Sequence, residues 1–295
     1  MQQKRNLFEE LKFQLKSGTM TNKLVIVNIC VFLLIHLLFA LEKISGVGFI
    51  SILIQKTFTL DATLIGALSM PWGFITSIFA HFDLMHIFSN LIFLYFAGNL
   101  FERYFNSRML LLTYLFGGLA GGLGEVISTT LLFPNEYHTV LGASGSVMAI
   151  FAALAFYSPN TKVFLFGVLP VRLFVLALFF LANDLIGIGN ANDHIAHFAH
   201  LGGALFGFLA MQNLNSPKNI LTKIDELSKR IRETFKRIGK AKPKKRRTKS
   251  DEEYNYEKKS KQDQTDLILD KISKSGYDSL SKKEKDFLFN QSKNG

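Results

Sequence analysis

The stretch LVIVNICVFLLIHLLFAL, residues 24–41, is an apolar run of eighteen residues. An α-helix needs about 20 predominantly apolar residues to cross the hydrocarbon core of a bilayer. A charged segment precedes this run, and Glu42 and Lys43 follow it in place of the small residues of a cleavage site, so we expect no cleavable signal peptide. The run therefore predicts a first transmembrane helix.

Further apolar segments follow along the first 212 residues. We place spans at residues 84–102, 108–132, 143–158, 171–189 and 195–212. The predicted fold class is all-α: a polytopic membrane bundle of six transmembrane helices. The connection 42–83 is too apolar to be disordered and too long for a plain loop. We expect it to form short helices that lie partly in the membrane interface.

The distribution of charge predicts the orientation of these spans. Six spans place both termini on one side, and lysine and arginine concentrate in the connections on that side. Cytoplasmic loops carry such an excess, so both termini are expected in the cytoplasm and loops 42–83, 133–142 and 190–194 outside. The outer side carries mainly acidic residues, among which we count Asp184 and Asp193. The apparent lack of an organellar presequence favours a bacterial cytoplasmic (inner) membrane.

Composition separates an apolar body from a basic tail. The chain has 48% hydrophobic residues and a formal net charge of +11, while residues 213–295 hold 23 Lys/Arg and 13 Asp/Glu. The one cysteine excludes a disulfide within the chain. The basic tail is expected to attract anionic lipid headgroups, and nucleic-acid binding is the less favoured alternative. We divide the chain into four parts: an amphipathic segment (1–23), a six-span bundle (24–212), a basic disordered linker with a surface helix near 219–239 (213–262), and a small helical unit (263–295).

Polar residues inside apolar spans are costly and therefore mark candidate functional positions. One group is His86 and Asn90, which are four residues apart and share a helix face. A second is Gly142-Ala143-Ser144-Gly145 at the start of the fourth span. The third is made of histidines that lead into the sixth span, at 194, 197 and 200. All three groups fall at the outward ends of their spans.

A stripe of small residues predicts which helices meet. His200, Gly203 and Gly207 recur at helical spacing, and glycines four apart let two helix backbones approach closely. The fourth span offers a matching small-residue face, made of Gly145, Ala149 and Ala152. If these faces meet, Ser144 and His200 come together. A serine hydroxyl becomes a nucleophile when a base lies within hydrogen-bond reach, and His86, Asn90 and the Ser144 N–H can then stabilise an oxyanion.

Each of these residues also has a structural interpretation. Ser144 alone is more often a helix cap or a packing residue, and His86 with Asn90 can form an interhelical hydrogen-bond pair. The histidines at 194, 197 and 200 can line one helix edge and bind a metal, although a surface pair at the helix start is favoured. Asp193 is a weak candidate for a third acid. The combination of the three groups is far more specific than any one of them.

The chain resembles the rhomboid family of intramembrane serine proteases. The resemblance covers residues 24–212 and is carried by HFDLMHIFSN (81–90), GASG (142–145) and AHLGGALFG (199–207). It implies a Ser144–His200 dyad, with His86 and Asn90 on the oxyanion side, and an activity that needs no metal or cofactor. The implied substrates are transmembrane proteins, cleaved near the outer membrane face.

Two positions depart from the family pattern. Members often have Trp-Arg in the first outer loop, whereas this chain has Trp72-Gly73; some have tyrosine four residues after the serine, where this chain has Met148. Residues 265–292 lie outside the catalytic resemblance and are similar to a short C-terminal segment of some bacterial relatives.

Two other functions compete with proteolysis. A non-catalytic protein could hold transmembrane helices in the same groove, but intact Ser144 and His200 argue against it. A metal transporter or metalloenzyme could use the histidines, but the spans lack a cluster of carboxylates, because Glu125 stands alone on the third span.

Overall fold

The structure is a computed structural model. It describes residues 6–294 except 47, 135–136, 166–167, 189–194, 215 and 240–249. The chain divides into two compact units, Met1–Glu233 and Thr234–Gly295.

Most of the described residues are helical. The α-helices are α1 Leu7–Ser17, α2 Met20–Ser45, α3 Ile50–Phe58, α4 Leu64–Ser69, α5 Gly73–Thr76, α6 Leu84–Tyr104, α7 Ser107–Leu132, α8 Ser144–Tyr157, α9 Leu173–Gly187, α10 His197–Ala210, α11 Ile220–Gly239, α12 Asp251–Ser275 and α13 Lys282–Asn294. The short strands are β1 Leu60–Asp61, β2 Thr139–Val140, β3 Lys162–Leu165 and β4 Leu169–Arg172, and 3₁₀ turns lie at Ser77–Phe79 and Tyr277–Ser279.

This architecture confirms the predicted all-α membrane bundle. Helices α2, α6, α7, α8, α9 and α10 lie at the six predicted spans. Within the described ranges, α2, α6 and α7 are long and apolar enough to cross a membrane, while α8, α9 and α10 are shorter apolar helices. The protein is therefore an integral membrane protein, and the count of six spans stays a prediction.

The first membrane helix begins four residues earlier than the apolar run. Thr19 caps α2 by accepting a hydrogen bond from the Asn22 N–H (3.2 Å). The Glu102 carboxylate on α6 accepts from the N–H groups of Met20 and Thr21, at 3.0 Å each. These bonds satisfy donors that a helix start leaves unpaired, and the last residues of the predicted surface segment 1–23 therefore belong to α2.

The connection 42–83 contains short helices, as its composition predicts, and it holds the segment in front of α8. Strand β1 pairs antiparallel with β2, so that Leu60 lies opposite Val140. The Ala62 N–H donates to the His138 carbonyl (3.1 Å), and the Gly142 N–H donates to the Ser77 carbonyl (2.9 Å). This connection thus fixes the backbone that leads into Ser144.

The centre of the bundle is a close contact of α7, α8 and α10. A Cβ on Gly121 would lie 2.6 Å from the Ala199 carbonyl oxygen, and one on Gly124 would lie 2.8 Å from that of Phe198. A Cβ on Gly203 would overlap the carbonyl oxygen of Gly145. Backbone approach of this kind needs glycine, because any larger side chain would separate the helices.

The tail differs from the predicted disordered linker 213–262. Helix α11 occupies 220–239, near the surface helix expected there, but α12 already begins at Asp251. Its start is a capping box, in which Ser250 and Glu253 bond each other's backbone N–H groups. Residues 250–253, which the predicted linker 213–262 includes, therefore form a helix start. The four-part division of the chain otherwise stays a proposal.

The C-terminal unit is a small helical pair. Ile268 on α12 and Leu280 before α13 are buried, and Lys271 bonds Glu284 at 3.0 Å. Ser281 and Glu284 form the two reciprocal bonds of a capping box at the start of α13. Bonds from Ser281 and Lys271 lower the pKa of Glu284 to about 2.

Candidate active site

Ser144 is the first residue of α8, and a glycine turn precedes it. Gly142 has φ +119°, a conformation that side-chain-bearing residues rarely adopt. Ala143 occupies the N-cap position and offers no side-chain acceptor to the first turn. The N–H groups at the start of α8 therefore have no side-chain cap at Ala143. They favour a negative charge at this helix end, where the half-buried Ser144 lies.

His86 packs directly on this turn. A Cβ on Gly142 would lie 2.8 Å from both Cε1 and Nε2 of His86, so the imidazole edge rests against the glycine. Asp83 caps α6 by accepting a hydrogen bond from the His86 N–H (2.8 Å), and this fixes the first turn of that helix. His86 Nε2 is thus held beside Gly142, which is two residues before Ser144 in the chain.

His81 lies on the other side of the same turn. The Ala143 N–H donates to His81 Nε2 (3.3 Å), and the two rings of His81 and His86 are 5.0 Å apart. Burial, reinforced by repulsion from His86 and opposed by the Phe79 backbone, lowers the pKa of His81 to about 4. The sequence motif contained this residue, but its spacing gave no sign that it would bind the turn before Ser144.

His81 predicts an acid-dependent loss of stability. Its pKa rises from about 4 in the fold to an ordinary 6.5 on unfolding, so the unfolded chain binds the extra proton and stability falls as pH is lowered from about 6.5 to 4. The difference between the folded and the unfolded pKa of His81 corresponds to a loss of stability of about 3 kcal/mol at most. We expect His81→Gln, which keeps an acceptor for Ala143, to flatten the dependence of unfolding temperature on pH between 8 and 5, measured in detergent. An unchanged slope would contradict this assignment.

Asn90 lies one turn below His86 and is buried. Its Nδ2 donates to the His86 carbonyl (2.9 Å) along α6. The amide carries a second N–H, which this bond leaves over for another acceptor. Asn90 is therefore oriented by its own helix.

The His200 side chain is hydrogen-bonded to Asp184, an acid that the sequence places among the charges of the outer side. Its Nδ1 lies 2.7 Å from Asp184 Oδ1 on α9, and His197 Nδ1 lies 3.0 Å from the same oxygen. Asp184 was counted among the charges of the outer side, but it is a buried residue of α9 with 3% exposure. Asp193 and His194, named from the sequence, lie outside the described residues.

The helices of Ser144 and His200 touch at the adjacent residues. A Cβ on Gly145 would lie 3.1 Å from the Ala199 carbonyl oxygen, and one on Gly207 would overlap the carbonyl oxygen of Ala149. Gly145, Gly203 and Gly207 thus lie in the α8–α10 contact. Ser144 and His200 are thus the chain neighbours of two residues in contact, and no hydrogen bond between their own side chains is found among the described residues.

Glu125, which stands alone as a carboxylate on α7, has two bonding partners from other elements. Its Oε2 accepts from the Ala199 N–H (2.9 Å), and its Oε1 lies 2.9 Å from His138 Nε2. A carboxylate at the start of α10 is stabilised by the helix dipole. Glu125 therefore ties α7 to the first turn of the His200 helix and to the loop before α8.

The two departures from the family pattern have different surroundings. A Cβ on Gly73 would lie 2.7 Å from the Thr59 carbonyl oxygen, so an arginine there would need the backbone to move. Met148 lines an apolar cavity of about 580 Å³ between α8, α9 and α10, together with Phe151, Leu178 and Leu201. The lining of this cavity has no titratable side chain, unlike the turn before α8, where His81 and His86 lie.

Comparison with known proteins places the bundle in a family. The Rhomboid domain matches residues 68–214, and a family of unknown function (DUF6576) matches residues 248–294. RHOMBOID-like protein 12, mitochondrial, from Arabidopsis thaliana is 35% identical over 148 residues, which are 46% of this chain and 44% of that protein. Rhomboid protease GluP from Bacillus subtilis (strain 168) is 26% identical over 147 residues, 50% of this chain and 27% of that protein.

These comparisons identify the class of protein. The chain spans less than half the length of the two relatives just described. Rhomboid-like protein 11, chloroplastic, from Arabidopsis thaliana is 34% identical over 46% of this chain and 50% of its own length. The membrane bundle, the matched domain and these relatives agree: this chain belongs to the rhomboid family. The resemblance drawn from three short motifs is confirmed.

Proposed function

We propose that the chain is an intramembrane serine endopeptidase that cleaves transmembrane segments of other proteins with Ser144 and His200. The observation that carries the proposal is the α8–α10 contact at Gly145 and Ala199, the residues next to Ser144 and His200. The family includes a relative named as a protease.

The tautomer of His200 supports its role as base. A carboxylate accepts hydrogen bonds and donates none, so the 2.7 Å bond to Asp184 requires the proton on Nδ1. The lone pair is then on Nε2. When a substrate carbonyl lies at Ser144, Nε2 takes the hydroxyl proton as Oγ attacks the carbonyl carbon, and it later gives that proton to the leaving amine. Water then attacks the acyl-enzyme while His200 Nε2 again takes a proton and returns it to Ser144 Oγ, and this releases the second product.

The oxyanion has three candidate donors. The Ser144 N–H lies at the start of α8, His86 Nε2 rests against Gly142, and Asn90 retains one N–H. Such donors act on the charge that develops in the transition state. The role of His81 is to hold the turn through Ala143.

The proposed setting is a bilayer with both termini on the cytoplasmic side. The names of the three relatives described above place two in organelles, and the third comes from a bacterium, so the bacterial inner membrane stays a prediction from the sequence. The substrates proposed are transmembrane proteins, and the basic tail is proposed to contact anionic headgroups rather than nucleic acid.

The orientation predicts which side chains a membrane-impermeant maleimide reaches. In a Cys30→Ala background, we expect Tyr137→Cys to be labelled on intact cells and Asn160→Cys only after permeabilisation. Both positions are exposed, and the proposed topology puts the connection before α8 outside and the connection after it in the cytoplasm. The reverse pattern would contradict the proposed topology.

The function is tested by cleavage of a fluorescent transmembrane substrate in proteoliposomes. We expect the wild type to cleave within the span, the His200→Ala variant to lose cleavage, and chelation to leave cleavage unchanged. Binding without cleavage by the wild type would favour a non-catalytic helix-binding protein, and cleavage abolished by chelation would favour a metalloenzyme.

A further inference from the structure

Asp184 receives two imidazole N–H groups on one carboxylate oxygen. His200 Nδ1 lies at 2.7 Å and His197 Nδ1 at 3.0 Å from Oδ1. The carboxylate is 3% exposed and stands near the end of α9, whereas both histidines stand on the first turn of α10. The acid is therefore fixed from two sides, next to the end of the bundle where the candidate nucleophile lies.

A buried charge is costly unless it is paired and hydrogen-bonded. Leucine or alanine would extend the apolar face of α9 without that cost, so packing alone does not explain an aspartate here. His197 packs its ring against Gly187, where a Cβ would overlap it, and this places its Nδ1 on Asp184. The site is thus built to keep Asp184 in place.

We propose that Asp184 is a positioning residue, which extends the proposed Ser144–His200 dyad to a Ser144–His200–Asp184 triad. This inference rests on the proposed function. The carboxylate holds His200 in the Nδ1–H tautomer, so that Nε2 has its lone pair free for Ser144. It also stabilises the imidazolium that forms when His200 takes the serine proton. His197 holds Asp184 in the rotamer that bonds His200.

The same three residues could in principle bind a cation. One ligand atom from each of Asp184, His197 and His200 lies within 4.8 Å of the others. A metal would have to displace the Nδ1 protons from both imidazoles, and these protons already satisfy Asp184. The hydrogen-bonded arrangement is complete without an ion, and metal binding is an outcome that the experiment distinguishes.

The first experiment measures kcat and KM of the full chain in proteoliposomes for Asp184→Asn and Asp184→Glu. We expect Asn, which keeps the shape and loses the charge, to lower kcat by at least about 100-fold with KM changed less than about threefold, as for loss of the acid of a triad. Glu restores the carboxylate and should recover part of kcat. Asp270→Asn, an exposed carboxylate of the C-terminal unit that pairs with Lys274, is the matched control and should retain wild-type kcat.

The second measurement reads the tautomer of His200 directly, first in the wild type and then in Asp184→Asn. Nitrogen-15 spectra of histidine-labelled wild type should show His200 with Nδ1 protonated and Nε2 unprotonated, with the signal assigned from a His200→Gln sample. Asp184→Asn should shift this tautomer toward protonated Nε2. A merely structural aspartate would not change the ratio of the two tautomers in a folded variant.

The outcomes separate this inference from the proposed function. If Ser144→Ala and His200→Ala are inactive while Asp184→Asn keeps wild-type kcat, the dyad stands and the triad is overturned. Wild-type His200 with its proton on Nε2, or one equivalent of tightly bound metal whose removal abolishes cleavage, also overturns it. If Ser144→Ala retains cleavage, the proposed function itself fails.

Discussion

Replacing Ser144 with alanine is expected to lower the rate of substrate cleavage by at least about 1000-fold, since loss of a serine nucleophile leaves the rest of the site with no group to form the acyl-enzyme. The side chain is half-buried and lies at the N-terminus of α8. The substitution removes one oxygen and suits a helix, so the variant should fold and still bind substrate. Product formation in proteoliposomes is the measurement.

Ser146 supplies the matched control for that experiment. It lies two residues further along α8 and is fully buried, and its Oγ has no hydrogen-bond partner among the described residues. It faces Gly118 on α7 rather than α10. Ser146→Ala should therefore keep cleavage near the wild-type rate. Equal activity of the wild type and the Ser144→Ala variant would contradict the proposed chemistry.

The second large effect is expected at Gly203. A Cβ there would overlap the carbonyl oxygen of Gly145, one residue from Ser144. Overpacking of this kind costs about 3 kcal/mol, and the movement that relieves it separates α8 from α10. We expect Gly203→Ala to lower the unfolding temperature and to reduce kcat by more than about tenfold, since a misplacement of about 1 Å can cost 100-fold in rate.

Gly48→Ala is the control for the glycine experiment. Apart from its chain neighbours, no described residue has an atom within 4 Å of the position a Cβ would take on Gly48, and Gly48 is not among the positive-φ glycines. This variant should match the wild type in unfolding temperature and in kcat. If Gly203→Ala behaved in the same way, the close contact of α8 and α10 would not exist in the membrane.

The fold was largely predictable because the bilayer imposes a simple rule on sequence. Long apolar runs marked the membrane helices, and the small residues on one face of α10 indicated its partner, α8. The starts of α2 and α12 were not predictable from hydropathy, since they depend on Thr19 and Ser250 as caps and, for α2, on the distant Glu102.

The candidate site was predictable only where its residues were rare in their surroundings. Ser144, His86 and His200 stood out as polar residues in apolar or glycine-rich helices. Asp184 did not, because an acid at the end of an apolar run is equally expected in a solvated loop, and its bond to His200 spans 16 residues. The contacts of His81 with Ala143 and of Glu125 with Ala199 likewise depend on pairs that are far apart in the chain.

The most direct measurement is labelling of the intact protein with a fluorophosphonate in a bilayer, followed by mass spectrometry of the adduct. One adduct is expected, on Ser144, and it should disappear when His200 is replaced by alanine or when the chain is unfolded first. A folded wild-type chain that takes no label, or that is labelled equally well without the His200 imidazole, would contradict the proposed dyad.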